Sequence, residues 1–293
     1  KMSGRLGIYS QAAAGELPLL LDLYPNAAAA YSLRLLKSDY TGAIVEIRRD
    51  SDNALKDFYP DASNELSLTS EDGAGTSLAT WIGANNGFVR TWYEQSGNAN
   101  DALNTNTASQ PQVISSGSII AINGKPSVRF LSSSQYLNSA NASEFNSVTE
   151  ASLFSVTAFD TVNAGNQYSC GVRITTNRGF LIGTETSGSS ARFHYNPSSF
   201  GVANGGTLVA SSQALITGLS SATGGSVSID GSTVGSSATT YTAGTTNNYF
   251  LGQMSSLNAG GARNLQEFIA YPSDQGSNKA GIETNINDFY TIY

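Results

Sequence analysis

The chain has 293 residues, 40% hydrophobic and only 13% charged, with a formal net charge of −7. That apolar fraction supports a packed core rather than a disordered chain, and an acidic balance with 15 scattered Lys and Arg disfavours nucleic acid as a partner. No apolar run approaches the about 18 residues of a membrane-spanning helix, the "KMSG" start shows no apolar signal-peptide core, and one cysteine (Cys170) with one histidine (His194) provides neither an intrachain disulfide nor a Cys-based or multi-His metal cluster.

Residues 1–17 have no clear period and read as an arm or linker that docks on something else. After a Pro25-Asn26 turn, Ala27 to Lys37 favours helix, with Leu33 and Leu36 toward a core. Gly42 ends it, and "AIVEIRR" alternates as a strand. "DSDNALKDFYPDASNEL" is turn-rich. "SLATWIGANNG" predicts a short helix that stops at Asn86-Gly87, and "FVRTWYEQ" predicts a strand running into the loop "SGNANDA". "QPQVISSGSIIAINGKPSVRF" gives two short strands joined by Asn123-Gly124, the strongest short hairpin signal in the chain.

From about residue 148 the pattern is almost wholly β. "ASLFSVTAFD", "QYSCGVRI", "GFLIGTE", "ARFHYN", "TLVASSQALITGL", "GSVSIDGSTVGSS" and "NNYFLGQM" are successive strand candidates, and Asp230-Gly231 makes a second tight hairpin turn. After the last strand, "NLQEFIAYP", the residues Ile282, Ile286, Phe289 and Tyr290 fall at helical spacing and predict an amphipathic closing helix. Many short strands with regular turns indicate a mainly β chain. The expected architecture is a two-sheet antiparallel sandwich over 18–293 with a few short helices, behind the arm 1–17.

The stretch "TWYEQSGNANDALN" (91–104) holds the densest mix of site chemistry. One reading is architectural: Glu94 and Gln95 bond loop backbone and Gly97 turns the chain. The other is recognition, with Trp92 or Tyr93 stacking on a pyranose ring. Strand alternation sends these two neighbours to opposite faces, so at most one shares a face with a given ligand. Tyr195 and Tyr241, in or near later strands, are further carbohydrate-binding candidates. The oxygen-rich runs "DSDN" (50–53) and "NAND" (98–101) raise calcium, yet neither has EF-hand spacing. No other cofactor is expected.

The segments "LDLYPNAAAAYSLRLLKSDYTGAIVEIRRDSDNA", "TWYEQSGNANDA", "INGKPSVRF" and "AYPSD" resemble, in order and spacing over most of the chain, the catalytic domain of the α-L-arabinofuranosidase B family. The end of the chain, "VSIDGSTVG … NYFLGQ … LQEFIAYPSD … IETNINDFY", is similar to a concanavalin-like or laminin-G-like jelly roll. The version carried here also looks like domains of bacteriophage virion proteins. The resemblance implies that fold, and it bears on the chemistry. A retaining glycosidase needs two carboxyl groups about 5–5.5 Å apart. The stretches where the family carries its nucleophile and its acid/base read "ARFHYNPSSFGVANGG" and "GQMSSLNAGGARN" here, without Asp or Glu.

The resemblance therefore implies no enzyme but a virion component: a fibre, spike or decoration domain on the outer surface of a phage particle. Its expected partners are other virion proteins through the arm, further copies of itself and host-surface glycan. The alternatives are a carbohydrate-binding module with no virion role, and an arabinofuranosidase in which Glu185 of "GTETSG" replaces a missing carboxylate.

Overall fold

Alternating apolar residues between Gly, Asn and Ser turns form 21 strands among the described residues. The computed structural model describes residues 18–162, 167–175, 178–185, 188–195, 201–240, 245, 248–252 and 261–293. The first strands are β1 (Ala29–Ser32), β2 (Val45–Arg49), β3 (Leu55–Phe58), β4 (Gly87–Trp92), β5 (Ala102–Leu103), β6 (Gln112–Ser115) and β7 (Ser118–Ile119). Next come β8 (Ala121–Ile122), β9 (Lys125–Pro126), β10 (Val128–Phe130), β11 (Tyr136–Asn138), β12 (Ala151–Phe159), β13 (Gln167–Thr175) and β14 (Arg178–Thr184). The last are β15 (Ala191–His194), β16 (Val202–Gly205), β17 (Ala214–Ser221), β18 (Gly224–Ile229), β19 (Ser232–Ser237), β20 (Asn248–Gly252) and β21 (Arg263–Tyr271). The α-helices are α1 (Leu20–Leu23), α2 (Leu78–Ile82) and α3 (Lys279–Tyr290).

All strand pairings among the described residues are antiparallel. In the first sheet β21 is central, with β12 on one edge and both β1 and β10 on the other. From β12 the sheet continues through β17 and β18 to β19, and from β10 through β6, β4 and β2 to β3. The second sheet runs β11, β20, β13, β14, β15, β16, and β5 joins it to β4. The free edges of β16 and β19 meet at Gly205 and Gly235, where a Cβ on either would strike the other strand's backbone. The sandwich is thus nearly closed into a barrel.

The main core lies between the sheets. Phe180, Phe193, Tyr195 and Tyr249 of the second sheet are buried against Leu153, Ile216, Val227 and Phe268 of the first. Glycine makes two of these seats: a Cβ at Gly218 would enter the Phe193 ring, and one at Gly225 the Tyr195 ring. A second apolar cluster lies on the far side of the first sheet, where Ile282, Ile286 and Tyr290 of α3 pack on Phe154, Leu215 and Ile269. A buried ion pair is built into that junction. Arg34 Nε and Nη2 donate to both carboxylate oxygens of Glu267 at 2.8 and 3.0 Å, and Arg34 Nη1 donates to Asn285 Oδ1 of α3 at 3.1 Å.

Both hairpin turns form as read, although the stretch 110–130 holds five short strands, β6 to β10, rather than two. Asn123 and Gly124 have φ of 52° and 74°, and Asp230 and Gly231 have 50° and 79°, the double left-handed turn that Asn-Gly and Asp-Gly favour. The expected helix over Ala27–Lys37 does not form. Ala29 to Ser32 is instead β1, in register with Ala270 to Glu267 of β21, because tertiary pairing outweighs the small helical preference of alanine. The helix near 78 stops earlier than expected, at Ile82, where Gly83 turns with φ 57°. The region 50–66 contains β3, and the "GVANGG" stretch contains β16; neither was legible as a strand.

Candidate functional site

Strand β1 has β21 on one edge only, and an unpaired buried strand edge needs other partners. The stretch after β4 supplies them. Ala30 N–H donates to Glu94 Oε1 (3.0 Å), and Gln95 N–H donates to Ala30 O (2.9 Å). Gln95 then accepts from Leu36 N–H (2.9 Å) and donates through Nε2 to Ser32 O and Arg34 O (3.1 and 2.9 Å). Asn98 Nδ2 donates to Ala27 O and Ala28 O, and Asn100 Nδ2 to Ala28 O. Four residues of "EQSGNAND", Glu94, Gln95, Asn98 and Asn100, thus line β1 with side chains where another strand would lie.

Glu94 is 3% exposed. Its carboxylate also accepts from Ser96 N–H and Asn98 N–H, and Glu94 N–H donates to Asp101 Oδ1. Burial pushes the Glu94 carboxyl up, while the amide donors pull against that shift. Gly97 turns the chain with φ 99°. The arrangement holds backbone and leaves Glu94 no face toward a substrate.

Trp92 and Tyr195 must be corrected as carbohydrate contacts. Both are fully buried, Trp92 edge-on to Tyr31 and Tyr195 stacked with Phe193, so neither ring presents a face to a ligand. Tyr241 lies outside the described residues, as does the arm 1–17. Of the three candidates among the described residues, Tyr93 sits at the surface, half-buried, on the face opposite Trp92. Its hydroxyl donates to Asp57 Oδ1 at 2.7 Å. Burial first, then Asp57, raises the Tyr93 hydroxyl well above its usual range, so it stays a donor. Tyr40, whose hydroxyl is raised by burial and then by Asp101, also lies within the field of Asp57 and Tyr59.

Beside this corner, Tyr59, Asp61, Thr69 and Glu71 line an open cleft of about 560 Å³. Asp57, Tyr59 and Tyr40 were missed in the sequence. The signal was there in "KDFYPDA", since Asp57 and Tyr59 two apart share a strand face.

The oxygens of "DSDN" are engaged within the protein. Asp50 accepts from the Asn86 amide groups, Asp52 pairs with Arg49, and Asn53 Oδ1 accepts from Arg48. Among the described residues no three His, Cys, Asp or Glu side chains are placed to hold a metal ion. Asp230 accepts from Leu215 N–H (2.9 Å), and Gly231 O accepts from Lys279 Nζ (3.0 Å), which ties the hairpin turn to α3. Cys170 is fully buried beside Ser155, and burial pushes its thiol up to about 12. Glu185, at the end of β14, is half-buried and accepts from Asn204 Nδ2 at 3.4 Å.

No family model matches the chain, and no curated protein matches it by sequence. Solved structures do match. A GH54 α-L-arabinofuranosidase soaked with a cyclic sulfate inhibitor superposes with a TM-score of 0.61 at 16% identity, covering 89% of this chain and 62% of that one. An arabinofuranosidase complexed with arabinofuranosyl-α-1,2-xylobiose gives 0.61 at 18% identity with the same coverage. Trypanosoma rangeli sialidase in complex with the inhibitor DANA gives 0.51 at 13% identity, covering 69% of this chain and 32% of that one. The chain spans about three-fifths of the length of the two arabinofuranosidases, 62% in each case. At these identities the likeness is one of fold: an arabinofuranosidase-like β-sandwich.

Proposed function

We propose that the chain is a non-enzymatic structural domain of a bacteriophage virion, a fibre, spike or decoration sandwich of head or tail, whose Tyr93 corner contacts host-surface glycan. In this reading the arm docks on other virion proteins, copies of the chain associate with one another, and the sandwich faces outward from the particle without a cofactor. One observation carries the non-enzymatic part. The stretches 191–206 and 252–264, where the resemblance sets the family's two carboxylates, contain no Asp or Glu. The glycan contact is supported by a surface tyrosine held by a carboxylate beside an open cleft lined by Tyr59, Asp61, Glu71 and Asp72, and by neighbours in fold that are glycosidases.

A second reading, an arabinofuranosidase-type hydrolase, is favoured by that fold and by the half-buried Glu185. A third, a carbohydrate-binding module without a virion role, shares the Tyr93 corner. A glycan array with the purified chain separates them, followed in parallel by hydrolysis of an aryl arabinofuranoside. Binding without turnover, lost in Tyr93→Ala and Asp57→Ala, is the expected result. Turnover would contradict it. Antibody raised against the chain is expected to label phage particles; labelling of free protein alone would remove the virion role.

A further inference from the structure

The cleft beside Tyr93 holds a tyrosine ring and a carboxylate that the protein itself does not use. Its volume is about 560 Å³, and its lining includes Tyr59, Pro60, Asp61, Thr69, Glu71 and Asp72 but, among the described residues, no Lys or Arg. Two of these three carboxylates are engaged within the fold. Asp61 Oδ1 accepts from Ser63 N–H and Glu65 N–H at 2.7 and 3.3 Å. Asp72 Oδ1 accepts from Ala74 N–H and Thr76 N–H at 3.0 and 2.7 Å, and its other oxygen pairs with Lys56. Lys56 first, then the Thr76 amide, holds the Asp72 carboxyl down to about 2, so its charge is permanent near neutral pH. Glu71 is different. It is exposed, and its carboxylate takes no hydrogen bond or ion pair among the described residues.

The backbone brings Glu71 and Tyr59 together. Just past the end of β3, Tyr59 N–H donates to Glu71 O at 3.1 Å. Phe58 points into the main core, so Asp57 and Tyr59 on either side of it face outward. Asp57 accepts from the Tyr93 hydroxyl, so one short strand carries both the corner and a wall of the cleft. The Tyr59 ring is half-buried, and its hydroxyl too has no partner among the described residues. Exposed Gly73 lies at the hydroxyl end of the ring and, having no side chain, leaves that end open.

This combination selects a ligand by charge. A neutral sugar would use the ring and leave the carboxylate idle, and an acidic sugar would be repelled by three carboxylates. A protonated amine uses every part. It gives Glu71 a charge-assisted hydrogen bond, it is drawn to the negative face of the Tyr59 ring, and the fixed charges of Asp61 and Asp72 favour it.

We propose that the glycan met at the Tyr93 corner is an amino sugar, its protonated amine seated between the Glu71 carboxylate and the Tyr59 ring. This rests on the glycan contact proposed above and names the chemical class that the contact selects.

Titration calorimetry at mildly acidic pH, where sugar amines carry their protons, tests it with a glucosamine trimer, its fully N-acetylated counterpart, galactotriose and tri-lysine. The glucosamine trimer is expected to bind about 10-fold or more tighter than the acetylated one, and Glu71→Gln should remove that difference, as loss of a charged hydrogen bond implies. Tyr59→Leu should weaken the glucosamine trimer about threefold, the size of an exposed cation–π contact. Glu71→Gln should melt with the unaltered chain; a lower melting temperature would show that the protein holds Glu71 after all and overturn the assignment. Affinity for the glucosamine trimer that ignores Glu71→Gln would overturn it too. Neutral sugars bound as tightly, with that binding lost in Tyr93→Ala, would leave the glycan contact standing and remove the amino-sugar selection. Binding of no saccharide would remove both. Tri-lysine bound as tightly as the glucosamine trimer would replace the amino sugar with a basic peptide.

Discussion

Gln95 shows how one side chain can stand in for a strand. It bonds Leu36 N–H, Ser32 O and Arg34 O, three backbone groups that have no second strand to meet. Replacing it by leucine of similar volume leaves all three buried and unmatched. Gln95→Leu is expected to lower stability by about 3 kcal/mol or more, read as a shift in urea midpoint without a change in slope. A loss below about 0.5 kcal/mol would mean that water takes over these groups.

Cys170 gives a second check at this scale. With the thiol raised to about 12 by burial, almost no thiolate exists at neutral pH, and thiol reagents should label the chain only as fast as it unfolds. Rapid labelling of folded protein would contradict the burial. The residue types around Glu94 and Gln95 suggested backbone bonding, but their partners at 30 to 36 were out of view, since nothing local links positions some sixty residues apart. Tyr195 was opaque for a related reason. Its alternation is compatible with either face, and its buried seat is made by Gly225, on another strand.

Among the elements, those fixed by local chemistry were the legible ones. Asn123-Gly124 and Asp230-Gly231 announce their turns because few other residue pairs accept two left-handed positions. The spacing of Ile282, Ile286 and Tyr290 announces α3 because those side chains are its buried face. β1 was misread because "AAAAYS" carries helical propensity of its own, while its strand geometry is imposed by β21 and by Glu94 and Gln95.

The junction of α3 with the first sheet rests on the Arg34–Glu267 pair, whose side chains are 3% and 1% exposed. Removing one partner strands a buried charge, so Arg34→Met should cost about 3–5 kcal/mol. Replacing both, in Arg34→Met with Glu267→Met, should recover a good part of that loss, because the pair's own desolvation cost disappears with it. Equal melting temperatures for the single and double variants would show that the loss comes from packing against Phe289 rather than from an unpaired carboxylate.

At the scale of the molecule, the sandwich shares its fold with the arabinofuranosidase structures and uses several polar groups to hold its own backbone. The motif "EQSGNAND" finishes a strand edge, Glu267 accepts from Tyr290 of the last helix, and an acidic tyrosine corner remains at the surface of the first sheet. The corner was partly visible in the sequence through Tyr93.

Hydrolysis of 4-nitrophenyl α-L-arabinofuranoside by concentrated protein tests the proposed lack of a catalytic carboxylate pair. The predicted result is release of nitrophenol no faster than the buffer blank, for the chain and for Glu185→Gln alike. Turnover by the chain that disappears in Glu185→Gln would contradict the non-enzymatic proposal and assign the chain a glycosidase activity.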